Sequence, residues 1–245
     1  MKRYLHALAM CRSMFCAIPC FWRVWDEEAR DKMLLFLPAV GLEIGAIWAL
    51  LAWFCRHLAL PALVQGAVLG AYPFVVTGFI HLDGFMDVTD AVRSCRDLAR
   101  RREILKDSRV GSFAVIGVVL LALCQTALFA SAEAAGLWTL VLLPAVSRCG
   151  SALAVTALRP MSTSQYAAQK KPKSHIIVLC AQLTVYLAAG FLAGWRTGAA
   201  LCGCLAGYAL ALRKAFRSLD GMNGDISGYA LTLSELCGAA VWALI

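Results

Sequence analysis

Charge is scarce in this 245-residue sequence. Only 16% of its residues are Asp, Glu, Lys or Arg, against ~25% in a soluble domain. Apolar residues make up 61% and the mean hydropathy is +0.72, which excludes an ordinary water-soluble globule and implies a single integral membrane domain over 1–245. The first 33 residues have no uninterrupted apolar run long enough to span, so no cleavable signal peptide is expected. Cys-x-x-Cys is missing, and the eleven cysteines are odd in number and scattered from Cys11 to Cys237, so neither a disulfide framework nor a zinc site is expected. Most of these thiols lie in apolar runs, where they act as small hydrophobes. No internal repeat stands out.

Seven apolar stretches are present, at about 34–55, 61–80, 111–130, 136–158, 176–194, 197–212 and 229–245. Each approaches the ~20 residues a helix needs to cross hydrocarbon, although the sixth and last are short. Backbone groups in lipid must pair internally, so the expected fold class is all-α: a membrane bundle of about seven helices. Tyr4–Pro19 mixes apolar side chains with His6 and Arg12 and suits an interfacial helix in a 1–33 segment. Gly41-x-x-x-Gly45 suits close helix packing.

The net charge of +8 would suggest a nucleic-acid partner in a soluble protein. Here topology distributes the basic residues instead. The N-terminal segment, the 81–110 loop, the 159–175 loop and the 213–228 loop hold six, seven, four and three, twenty in all. The alternate loops hold only Arg56 and Arg196, and Arg148 lies within a span. By the positive-inside rule the N-terminus and the motif loops 81–110 and 213–228 are cytoplasmic and the C-terminus is outside. No nucleic-acid partner is expected. The 161–175 segment reads as a flexible basic loop.

The most informative residues are Asp83, Asp87 and Asp90. On a helix they fall within an arc of about 60°. Three carboxylates on one stripe repel one another and become stable together around a hard cation; Mg²⁺ held this way completes its shell with water and substrate phosphate. A solvated acidic loop is the plainer reading, but it has no need of i, i+4, i+7 spacing. Lys106-Asp107-Ser108-Arg109 precedes Val110-Gly111-Ser112 at a helix start and reads as a phosphate clamp; a basic membrane-surface anchor is the other reading. Asp220-Gly221-Met222-Asn223-Gly224-Asp225 offers Asp225 to a metal and Asn223 and Gly224 to a substrate, or else is an ordinary Asn-Gly turn. Within the spans, Arg148 could reach a phosphate or pair with a carboxylate, Glu235 could support the third cluster, and Glu43 could be structural. His81 could be a group beside the metal, a general base, or an interface residue.

The run Gly78-Phe79-Ile80-His81-Leu82-Asp83-Gly84-Phe85-Met86-Asp87-Val88-Thr89-Asp90 resembles the signature of the cobalamin synthases, the adenosylcobinamide-GDP ribazoletransferases. Ile104–Phe113, Gly224-Asp225, Ile18-Pro19 and Pro38-x-x-Gly41-x-x-x-Gly45 resemble that family as well. Thr77, Ala91, Asp220 and Asn223 depart from its usual residues. The resemblance implies a phosphocobinamide transfer from adenosylcobinamide-GDP to α-ribazole or its 5′-phosphate, with GMP leaving. It also implies Mg²⁺ on Asp83, Asp87 and Asp90, phosphate on Lys106 and Arg109, and a bacterial or archaeal inner membrane as location. Membrane lipid is the expected surrounding partner, and the oligomeric state is open. The competing readings are a CDP-alcohol phosphotransferase, an aspartate-rich prenyltransferase and an ion-coupled transporter. Ala91 and Arg102 stand where the first would need Gly, and transporter sites lie near the membrane midplane.

Overall fold

The computed structural model describes residues 2–132, 136–161, 164 and 172–245. Its described residues are helical apart from short connections and one isolated bridge between Pro160 and Met222. The helices are α1 (Lys2–Phe15), α2 (Leu37–His57), α3 (Ala62–Val76), α4 (Ile80–Arg93), α5 (Leu98–Ile104), α6 (Ser112–Ser131), α7 (Leu137–Ala157), α8 (Lys173–Ala193), α9 (Trp195–Leu219) and α10 (Gly224–Leu244). A 3₁₀ stretch, Glu27–Phe36, leads into α2. Asp26 caps it by accepting from the Glu28 N–H.

Five helices among the described residues are long and apolar enough to cross a membrane, and six if α3 and α4 form one bent span. The expected count of seven is not confirmed. The seventh, α10, is 21 residues long but sits at the centre of the bundle, packed on α9, α4, α7 and α6. Buried Ser227, Thr232, Ser234 and Glu235 lower its hydropathy and are satisfied inside. By contrast α6 and α8 expose most of their apolar side chains, as lipid-facing helices do. The short sixth stretch grows into the 25-residue α9, because the pattern continues through Arg213 and Arg217.

The expected 81–110 loop is mostly helix: α4 and α5 occupy it. It follows a 92° bend at Thr77–Phe79, where Gly78 and Phe79 both take positive φ (60° and 65°). The expected 213–228 loop shrinks to a turn at Asp220–Asn223 between α9 and α10. Much of the 161–175 basic loop, including Ser162, Thr163, Lys170 and Lys171, lies outside the described residues. A helix forms in the segment expected to be interfacial, α1, with Ala7, Met10, Cys11 and Phe15 buried against the bundle. Glu43 holds it there: Arg12 donates to both Glu43 oxygens from Nε (3.0 Å) and to one from a terminal nitrogen (2.8 Å). Gly41 and Gly45 let α2 lie against the α7 backbone. A Cβ at Gly41 would stand 2.5 Å from the Pro144 carbonyl.

Candidate active site

The site is made by one helix crossing. Gly84 of α4 meets α10, and a Cβ there would lie 2.8 Å from the Asp225 carbonyl oxygen and 2.9 Å from its Cα. On the other side of the crossing Gly228 faces the His81 backbone, with 3.1 Å left for a Cβ. This contact sets Asp225 beside the aspartates of α4. Among neighbouring charges, those acting on Asp87 are Asp83, Asp225 and Asp90, in that order. Asp83 is exposed and Asp87 half-buried. Among the described residues no donor or cation pairs with either carboxylate.

Asp90 stands apart. Its two oxygens accept from the Gly111 N–H (2.6 Å) and the Ala114 N–H (2.9 Å). It therefore caps α6 from 21 residues upstream and locks the end of α4 to the start of α6. The three-residue stripe expected as one metal set is thus split: Asp83 and Asp87 face Asp225, and Asp90 is spent on a helix end. Asn223, expected at substrate, is spent likewise. Its Oδ1 accepts from the Ile226 N–H (2.9 Å) as the cap of α10, and its Nδ2 donates to Asp225 (2.7 Å), which fixes that carboxylate. Gly224 keeps an open side: nothing lies within 4 Å of where its Cβ would be.

Beside the aspartates lies a cavity of about 290 Å³. Asp83, Asp87 and Asp90 line one wall, and Lys106, Ser108 and Arg109 are on the other. The segment Lys106–Val110 is thereby held over the α4 stripe, leading into the α6 N-terminus. Lys106, Ser108 and Arg109 are exposed. Arg109 is engaged by its own neighbour: its Nε and a terminal nitrogen donate to Asp107 at 3.0 and 2.7 Å. The hydrogen bonds from Arg109 hold the Asp107 carboxyl well below the usual range, at about 2. Asp107 therefore positions Arg109 in the open cavity, and as an anion it competes with any phosphate for the guanidinium.

A profile of the cobalamin-5-phosphate synthases matches residues 7–243. The chain belongs to the cobalamin-5-phosphate synthase family. Similar proteins include one from Clostridium perfringens strain 13, 34% identical over the full length of both chains, whose name is adenosylcobinamide-GDP ribazoletransferase. Proteins of the same name from Clostridium botulinum strain Alaska E43 (31% identical, 97% of each chain) and Brevibacillus brevis strain 47 (30% identical, 96% of this chain and 95% of the relative) are also similar. No solved structure matches the chain.

In this family member no three His, Cys, Asp or Glu side chains among the described residues converge tightly enough to form a metal cage alone. The uncompensated carboxylates of Asp83 and Asp87, with Asp225 facing them, suit instead a cation that keeps water and phosphate in its shell, as Mg²⁺ does. Arg148 is no part of the phosphate cavity. It is 1% exposed and pairs with Glu235 (2.8 Å), whose same oxygen accepts from Ser147 (2.7 Å). A lone charge at that depth is costly, so the two spans neutralise each other, and Glu235 serves Arg148 rather than the Asp225 cluster. His81 is buried on the far side of α4 from the stripe and stacks on Phe15, centroids 6.2 Å apart. With Asp83, Asp225 and the hydrogen-bonded pair Ser151–Ser227 (2.6 Å) it lines a small enclosed cavity of about 130 Å³.

Two features carried no sequence signal. Arg101 and Arg102, in what reads as a solvated basic run, donate to the Ser218 and Leu219 carbonyls at the end of α9 (3.3 and 3.1 Å). Arg102 and Arg159 also hold Asp220, and the Met161 and Met222 N–H groups stitch the chain after α7 to the same turn. Together these contacts set where α10 begins, and so where Asp225 stands.

Proposed function

We propose that this chain transfers the phosphocobinamide group of adenosylcobinamide-GDP to a hydroxyl of α-ribazole or its 5′-phosphate. The observation that carries the reading is the single cavity in which Asp83 and Asp87 face Lys106 and Arg109. A pyrophosphate split by an alcohol needs negative groups for a cation and positive groups for the leaving phosphate, both within reach of one phosphorus.

The acceptor oxygen forms a bond to the cobinamide-linked phosphorus. The bond from that phosphorus to the bridging oxygen breaks, the bridging oxygen leaves with GMP, and the hydroxyl proton passes to a carboxylate. Lys106 and the forked donors of Arg109 take the charge that gathers on GMP. The free N–H groups at the start of α6 add to that field, although Asp90 already uses two of them. Asp83 and Asp87, with Asp225, would hold Mg²⁺, which when bound neutralises the pyrophosphate. The twenty basic residues gathered on one side support a cytoplasmic site in a bacterial inner membrane, where nucleotide substrates are found.

Purified protein in lipid, given donor and α-ribazole, should release GMP in step with cobamide formation. Turnover of a CDP-alcohol and a lipid alcohol in its place would instead favour the phospholipid enzyme.

A further inference from the structure

Asp83 lines a second large cavity, of about 560 Å³, that shares no other residue with the one holding Lys106 and Arg109. The first runs from Asp83 along the C-terminal half of α4. The second runs the opposite way, past the start of α4 to the end of α1, and is walled by Ser13, Cys16, Ala17, Thr77, Gly78 and Phe79. Its wall is fixed, since the Ala17 N–H donates to the Val76 carbonyl (2.7 Å) and joins the chain after α1 to the end of α3.

On the transferase reading above, we propose that this second cavity is the acceptor subsite, binding the aromatic base of the ribazole nucleoside against Phe79. In-line displacement at phosphorus puts the attacking and leaving oxygens on opposite sides. Two cavities meeting only at Asp83, one with cations for the leaving GMP, supply those two sides. Size separates the substrates: about 560 Å³ is within the range of small-molecule pockets and accommodates a nucleoside, whereas a corrin ring with its side chains is far larger.

Phe79 is the recognition element. It is left-handed (φ 65°), a strained backbone state for a bulky residue, and the residue is 52% exposed. Such strain gathers at functional sites and persists where surrounding structure fixes it. Here the Phe79 N–H is held by the Phe74 carbonyl (2.9 Å), and the Phe79 carbonyl accepts from the Asp83 N–H (2.8 Å). The Phe79 backbone is therefore pinned about one helical turn, roughly 5.4 Å along the axis, before Asp83. A base stacked on Phe79 leaves its ribose hydroxyls to reach that carboxylate.

The test is steady-state GMP release by purified protein in lipid, with each substrate varied while the other saturates. Wild-type release must require both substrates; without it the transferase reading itself fails, separately from the subsite. Phe79→Leu removes the ring, and Ser13→Trp fills the cavity from an exposed position. Each should raise the Michaelis constant for α-ribazole by about fivefold or more, the lower end for an aromatic–base stack. The constant for adenosylcobinamide-GDP should stay within about twofold, since the donor's own cavity is untouched. Phe79→Tyr, which keeps the ring, should restore the Michaelis constant for α-ribazole to within about twofold of its original value. Arg109→Lys should show the mirror image and disturb the donor. A shift in the donor constant with Phe79→Leu, or no shift in either constant with both variants, overturns the assignment.

Discussion

Replacing Gly84 with alanine tests whether the α4–α10 crossing positions the site. The new methyl carbon would start 2.8 Å from the Asp225 carbonyl oxygen, where ordinary contact begins near 3.4 Å, so the helices must part by about 0.6 Å. Both close atoms are backbone, so no flexible side chain can yield. Overpacking of this kind costs about 1–3 kcal/mol of stability. The separation moves the Asp225 backbone away from the helix that carries Asp83 and Asp87. A misplacement near 1 Å can cost ~10²-fold in rate, so kcat/KM should drop by about ten- to a hundredfold. GMP release per folded molecule and thermal unfolding in detergent would be measured together. Gly45→Ala is the comparison: its methyl would clash with the Val141 carbonyl on α7, away from the site, so it should destabilise as much while surviving molecules turn over normally. Gly84→Ala with wild-type kcat/KM would refute the reasoning.

Asp87→Asn should insert and fold but lose turnover by orders of magnitude, measured by GMP release at ordinary Mg²⁺. Asp90→Asn should lose far less, because its amide oxygen keeps one of the two hydrogen bonds that cap α6; Asp90→Ala, which loses both, should cost about 1 kcal/mol of stability, and an Asp90→Asn defect as deep as that of Asp87→Asn would return Asp90 to the metal set. Asp107→Asn should lower the Michaelis constant for the donor, since it frees Arg109 for phosphate. The Asp107 carboxyl sits at about 2, below its usual 3.8, so its pairing is complete above 3.8 and lost only as pH falls through 2. The donor constant should therefore show no inflection from this group between about pH 5 and about pH 9. Arg148→Met should lower stability by about 3–5 kcal/mol by stranding Glu235, and the double variant with Glu235→Leu should recover much of it in thermal unfolding.

Parts of this were legible in sequence for physical reasons. Apolar runs between basic clusters gave helices, because lipid leaves the backbone no other partner. The spacing of Asp83 and Asp87 placed both on one face, and Gly41 and Gly45 marked a close helix contact. What failed were long-range relations. The cap that claims Asp90 comes from residues 21 and 24 positions away, and nothing local to Asp90 distinguishes it from Asp87. Charge made α4 and α5 look like a loop, although each charge has a solvated edge or a partner. The buried polar groups of α10 lower the hydropathy of a helix at the centre of the bundle, since hydropathy does not know which side chains find partners inside.

The most direct measurement of the central claim follows ¹⁸O placed in the bridge of the donor's pyrophosphate. With α-ribazole present, the account predicts that every GMP released carries the label, that cobamide forms in equal amount, and that Asp87→Asn abolishes both. GMP released without the acceptor, or label retained in the cobamide product, would contradict attack by the acceptor at the cobinamide-linked phosphorus.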